Sequence, residues 1–167
     1  GGYSAEYGEA LSSVLLLNTI DEAVQEQTDI SLMTVGVGLG NTQKWEKGSL
    51  SFNTAYINLQ PYQWIVPQDV DWNRPYQSLS GETVYRHQFN NGLLKVYAAF
   101  DHATFSINQH DINEAQPVTV DMINNNFYLN SSYKGVLGAG WSIHAGLGYG
   151  YGQNNIGLNA NSVSNGE

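Results

Sequence analysis

Residues 141–153 read WSIHAGLGYGYGQ. Trp141, Ile143, Ala145, Leu147, Tyr149 and Tyr151 share one parity; Ser142, His144, Gly146, Gly148, Gly150 and Gly152 share the other. Strict alternation over this length is a β-strand whose two faces meet different surroundings. The chemistry is inverted relative to a soluble sandwich, which crowds bulky groups onto an inner face and sets charge on the wet one. Here the second face has almost no side chain and no charge. The first is aliphatic in its middle and aromatic at both ends. A transmembrane barrel strand has that character: a lipid-facing band, aromatic girdles at its borders, and a lumen that accepts glycine and polar groups. A propeller or soluble-barrel strand shares the alternation.

Moving outward, similar runs recur. Residues 28–41 alternate, with Met33, Val35, Val37 and Leu39 on one parity and Thr34, Gly36, Gly38 and Gly40 on the other. Ile30 and Leu32 fall on the wrong parity, so a bulge or break is expected near Leu32 and Met33. Residues 41–48 read as a polar turn. Residues 49–59 read as a strand with Leu50, Phe52, Thr54 and Tyr56 on one side. Residues 82–89 and 93–107 flank Asn90-Asn91-Gly92, and Asn-Gly between alternating runs signals a hairpin. Residues 127–133 form a further strand, and 134–140 a short turn into 141–153.

The segments between are of two kinds. The turns 41–48, 90–92 and 134–140 are short. The stretches 60–81, 108–125 and 154 onward lack a strand period and read as long loops. Short turns alternating with long loops suit an outer-membrane barrel, with brief periplasmic turns and extended extracellular loops. If 33–40 descends, a first ascending strand is expected within 24–32.

Composition bounds the function. The chain has 167 residues and a net charge of -9, which argues against a nucleic-acid partner. Only 13% of residues are charged, about half the usual share. No apolar run nears the roughly 20 residues of a membrane helix. There is no cysteine, which excludes disulfides, thiolate metal sites and cysteine nucleophiles. Gly1-Gly2-Tyr3 lacks the basic start and apolar core of a signal peptide, so an outer-membrane reading implies a processed chain or a piece of one.

The opening, GGYSAEYGEALSSVLLLNT (1–19), stands apart from the rest. Its run 14–17 reads as a short strand buried on both faces, 5–11 could instead start a helical turn that Gly8 keeps short, and 21–27 reads as a polar linker. Ala5, Glu6, Tyr7, Gly8, Ala10, Leu11, Ser12, Val14, Leu15 and Thr19 resemble the end of the plug domain of TonB-dependent outer-membrane receptors. Leu15-Leu16-Leu17 departs mildly from the family's Val-Asn-Ile. Residues 28–167 resemble the first barrel strands of the same family by hairpin rhythm rather than fixed motif.

That resemblance implies an all-β fold: part of an antiparallel up-and-down transmembrane β-barrel of about 22 strands, preceded by the last strand of a plug. The division is 1–27 for the plug end and linker and 28–167 for the barrel. It implies a bacterial outer-membrane location, lipid contact, and energy-coupled import of a nutrient of the siderophore, cobalamin or glycan class. Coupling would pass to the TonB complex through an N-terminal part absent from this sequence. Two other readings stay open: a small acidic all-β carbohydrate-binding module, and a complete small outer-membrane barrel of about eight strands.

Candidate sites are few, and no acid, base and nucleophile set for catalysis stands out. In the stretch 60–81, Tyr62, Trp64, Trp72 and Tyr76 offer flat faces with Asp69, Asp71 and Arg74 among them, a combination suited to sugars and similar nutrients. The bland reading places those rings at the membrane interface or in loop packing. Lys95, Asp101 and His144 share the inward parity, as does Arg86. A lipid-facing Lys or Arg near the midplane would cost about 2–4 kcal/mol, which favours the lumen for these charges. His102 and His110, with Asp101 and Asp111, make a weak metal cluster. Asp69, Asp71 and Asn73 imitate a calcium loop, but Arg74 stands at the sixth position and Ser80 at the twelfth, so the EF-hand pattern fails. No cofactor and no metal centre are expected, short of a looser calcium site.

Overall fold

The computed structural model describes residues 23, 25–67, 70–109, 118–138 and 140–160. They form one antiparallel sheet of seven strands in sequence order. The strands are β1 (Gln27–Met33), β2 (Gly36–Trp45), β3 (Gly48–Asn58), β4 (Asp71–Phe89), β5 (Gly92–Gln109), β6 (Val118–Gly138) and β7 (Trp141–Ala160). A short helix, α1 (Gln60–Ile65), lies between β3 and β4. The sheet is up-and-down and open: β1 and β7 are its edges and do not pair with each other.

At one end, turns 46–47, 90–91 and 139–140 each have two residues. Gly138 and Gly140 frame the last of these at φ 85 and 83, a left-handed conformation that glycine adopts without steric cost. At the opposite end β1 and β2 are joined by 34–35, while 12 residues separate β3 from β4 and eight separate β5 from β6 in sequence. The expected contrast between short turns and longer connections therefore holds for two connections at that end and fails for 34–35.

That exception explains the parity slip at Leu32 and Met33. Met33 pairs with Gly36 and Leu32 with Val37, so 34–35 is a tight hairpin turn and not a bulge in one strand. Ile30, Leu32, Val37 and Leu39 consequently share a face, while Met33 sits on the other.

Several strands run further than their local pattern suggests. Residues 71–81, expected as loop, are the first half of β4. Their period is broken by register shifts between Trp72 and Arg74 and between Arg74 and Gln77. Pro75 lies in the second; it has no N–H for the ladder and belongs at such an irregularity. Residues 118–125 and 154–160, also expected as loops, belong to β6 and β7. Residues 41–45 belong to β2 and 134–138 to β6. The expected first ascending strand is β1.

Register fixes two faces, named here for Leu147 and Gly148. Across β2 to β7 the row Gln43, Leu50, Tyr85, Val96, Ser131 and Leu147 lies on the Leu147 face. So does the row Leu39, Thr54, Gly81, Phe100, Phe127 and Tyr151. The apolar band they help build climbs obliquely across the hydrogen-bonded rows. On β7 it runs from Trp141 to Tyr151; on β1 and β2 it is carried by Ile30, Leu32, Val37 and Leu39, with Thr28, Asn41 and Gln43 nearer the short turns. Asn41 Nδ2 donates to Thr28 Oγ1 at 2.8 Å, which pairs two of those polar exceptions.

This band is not a core. Among the described residues the buried apolar side chains are Ala23, Val84 and Ala103 alone. Leu32 is 82% exposed, Leu147 72% and Trp141 73%. Phe52, Leu79, Phe100 and Phe127 are exposed as well.

Candidate functional site

Charge is sorted by face. Asp29, Lys44, Glu82, Arg86, Lys95, Asp101 and Lys134 all take the Gly148 face. On the Leu147 face the strand charges Asp71, Arg74 and Asp121 occur only beyond the row His102, Asn125 and Gln153, away from the short turns. Lys95, Asp101 and His144, assigned inward by parity, share the Gly148 face with Arg86.

Within that face the signs separate as well. One row runs Lys44, Ser49, Arg86, Lys95, Ser132 and Gly146. The next toward the short turns runs Gln88, Leu93, Lys134 and His144. Four of the six Lys and Arg residues therefore lie in two adjacent rows. Arg86 is 5% exposed, and its Nη1 donates to Ser51 Oγ at 3.2 Å and Ser49 Oγ at 3.5 Å. The carboxylates lie farther along the strands. Glu82 accepts from Asn53 Nδ2 at 2.9 Å and from the Tyr97 hydroxyl at 3.2 Å. The Tyr97 ring lies 6.0 Å from that of Tyr128, whose hydroxyl accepts from Asn130 Nδ2 at 3.2 Å. A polar ladder thus crosses β3 to β6 beside the bare glycines of β7. A Cβ at Gly148 would meet nothing within 4 Å.

Beyond the row of His102 the sidedness exchanges. The Gly148 face becomes apolar, with Trp72, Ile107, Val120 and Leu158 in one row and Phe105, Met122 and Ile156 in the next. The Leu147 face becomes polar, with Thr104, Ser106, Asn108, Thr119, Asp121, Asn155 and Asn159, and Ile123 as an exception.

The structure divides the ring-bearing segment 60–81. Tyr62 and Trp64 ride on α1, where Trp64 is 76% exposed. Pro61 opens that helix, where its missing N–H costs nothing. Asp71, Trp72, Arg74 and Tyr76 belong to β4 and not to a loop. Trp72 packs edge-on against Phe105 at 6.2 Å, so one expected platform is a packing contact. Its Nε1 has no hydrogen-bond partner. Asp71 Oδ2 accepts from Asn108 Nδ2 at 3.2 Å, and Arg74 Nη1 donates to Thr104 Oγ1 at 3.2 Å. The Tyr76 carbonyl accepts from Leu59 N at 3.0 Å, which ties the end of β3 to β4. Register places Trp72 on the Gly148 face and Asp71 and Arg74 on the other, so these residues do not converge on one ligand. Asp69 lies outside the described residues, as do His110, Asp111 and the plug-like stretch 1–22. His102 Nδ1 meets Asn125 Oδ1 at 2.6 Å. Among the described residues no three His, Cys, Asp or Glu side chains come together to hold a metal.

A belt of rings borders the apolar band at the short-turn end. Trp45 and Tyr85 lie 6.1 Å apart, and the Tyr85 and His87 rings stack at 6.3 Å. His87 meets Phe89 at 4.6 Å, and Phe89 meets Tyr133 at 6.2 Å. The opposite border carries Phe127, Tyr149 and Tyr151, with Phe127 and Tyr149 6.5 Å apart.

The cation rows and the Glu82 ladder were not found by sequence reasoning. Their members come from six strands, and only register aligns them. Comparison with known proteins adds no relative: no family model, curated protein or solved structure matches the chain.

Proposed function

We propose that this chain is part of an outer-membrane β-barrel of the TonB-dependent receptor type, which imports a nutrient across the bacterial outer membrane. The carrying observation is the exposed apolar band bounded by rings on both borders, with every strand charge at its level turned to the other face. Water on such a surface is costly, at about 25 cal/mol per Å², whereas hydrocarbon meets it without penalty. A soluble carbohydrate module of this size needs a core of large apolar side chains, and among the described residues the buried apolar ones are Ala23, Val84 and Ala103.

Dimensions support the same reading. From Trp141 to Tyr151 is ten residue steps, about 33 Å at ~3.3 Å each. Tilted by about 40°, they rise roughly 25 Å, the height of a barrel's lipid-facing band. The oblique climb of the band across the rows is what tilted strands would give in a flat membrane. The strands β4 to β7 exceed the 9–11 residues needed for spanning and would project beyond the bilayer. The two open edges favour further strands alongside, since a long unpaired edge invites pairing. The receptor type rests on the resemblance of residues 1–19, and import on that family's activity.

Membrane fractionation tests the barrel. The protein is expected in the outer-membrane fraction, retained through a carbonate wash and released by detergent. Recovery in the aqueous phase without detergent would refute the proposal. The importer is tested separately, by loss of nutrient uptake when the gene is deleted and recovery on complementation.

A further inference from the structure

The lower cation row ends in a cleft of about 580 Å³ at the turn 90–91. Its polar lining comprises Gln88, Asn90, Asn91, Lys134, Ser142 and His144. Lys134 and His144 are direct cross-strand partners, and both take the Gly148 face. Val136 N donates to Asn91 O at 2.7 Å, which pins the turn against β6 and fixes one wall.

The chemistry of that lining is one-sided. It offers an ammonium, an imidazole, three carboxamides and a hydroxyl, and no carboxylate lines it. In the next row Arg86 stands directly opposite Lys95. Of the six Lys and Arg residues Lys134 lines the cleft, and Arg86 and Lys95 lie one row along the same face. Charge-assisted donation from Lys, with amide N–H groups around it, is how proteins hold phosphoryl oxygens.

We propose that this cleft binds a phosphoryl group: Lys134 supplies the charge, while Asn90, Asn91, Gln88 and Ser142 supply neutral donors around it. The group belongs to a soluble molecule or to a lipid headgroup. The Gly148 face is opposite the apolar band, which favours the soluble source. The phosphoryl assignment rests on register and lining; only the preference for a soluble source rests on the membrane reading.

The test is a titration of the full chain with inorganic phosphate at constant ionic strength, followed by ³¹P line width, in uncharged detergent or, if the chain is soluble, in buffer. Saturable binding is expected. Lys134→Gln is expected to weaken it by about tenfold or more, the worth of one charge-assisted hydrogen bond. Lys134→Arg retains binding, and Arg74→Gln, on the opposite face and far from the short turns, leaves it unchanged. His144→Gln provides a second variant should Lys134→Gln fail to fold, and it too is expected to weaken binding. A parallel arm replaces phosphate by vesicles of phosphatidylglycerol in phosphatidylcholine. Binding of free phosphate identifies a soluble ligand; binding of those vesicles alone, lost in Lys134→Gln, identifies a headgroup. Absence of binding in both arms, or folded variants that bind as tightly as the parent, overturns the assignment.

Discussion

Leu147 offers the sharpest test of which medium wets the apolar face. It lies six steps from Trp141 and four from Tyr151, close to the middle of the band. With 72% of its surface exposed, it has little packing to lose. In water, Leu147→Arg should therefore change stability by less than about 0.5 kcal/mol, as surface substitutions do. In hydrocarbon the same change places a guanidinium near the midplane and should cost about 2–4 kcal/mol. Asn130→Arg is the matched control: the adjoining strand, one row away, but the Gly148 face. Its expected cost is under about 0.5 kcal/mol in either medium. The assay is guanidinium unfolding of the full-length polypeptide in phosphatidylcholine vesicles, read by tryptophan fluorescence. A difference of more than about 1.5 kcal/mol between the two variants is expected from these ranges. Equal costs would refute the lipid assignment of the face.

Three other expectations concern the sheet itself. Gly81 lies directly opposite Phe100, whose ring occupies the space a Cβ would need; Gly81→Val should destabilise by about 1–3 kcal/mol in the same unfolding assay. Glu82→Ala strips the acceptor from Asn53 and Tyr97 and should cost about 0.5–1.5 kcal/mol, with Glu82→Gln recovering part of it. Arg86→Leu removes a buried guanidinium from Ser49 and Ser51 and relieves its opposition to Lys95; loss of its hydrogen bonds, about 1–3 kcal/mol, should outweigh the relief. In Lys95→Gln the Arg86→Leu cost should be larger, because the relief is already spent, and a double-mutant cycle measures the difference.

What the sequence made legible depended on phase. In 141–151 the bulky parity never changes, so one strand and its two faces can be read directly. At Gln153 the phase changes: Tyr149 and Tyr151 are odd, Ile156 and Leu158 even. The strand continues while its sides exchange character, and a period-2 pattern broken in mid-strand looks like a loop. Residues 118–126 hid for the same reason, since Val118, Val120 and Met122 are even and Phe127 and Leu129 odd. Residues 71–81 hid because two register shifts and Pro75 disrupt the alternation. That Lys95, Asp101 and His144 share the face opposite the bulky one was legible, because it needs only the strand's own phase. The ring-bearing segment was read as one recognition loop because neighbours in sequence were taken as neighbours in space. The strand carries Trp72 to one side and Arg74 to the other.

The exchange of sides in β5 to β7 has a mechanical consequence for a sheet in a bilayer. Sliding it inward by two residues would drag His102, Asn125 and Gln153 into the acyl chains. Sliding it outward would lift Tyr151 and Phe127 into water and leave the short-turn rings stranded among lipid tails. In a bilayer both displacements would be uphill, and the vertical position of the sheet would be set by where wet and oily residues trade places.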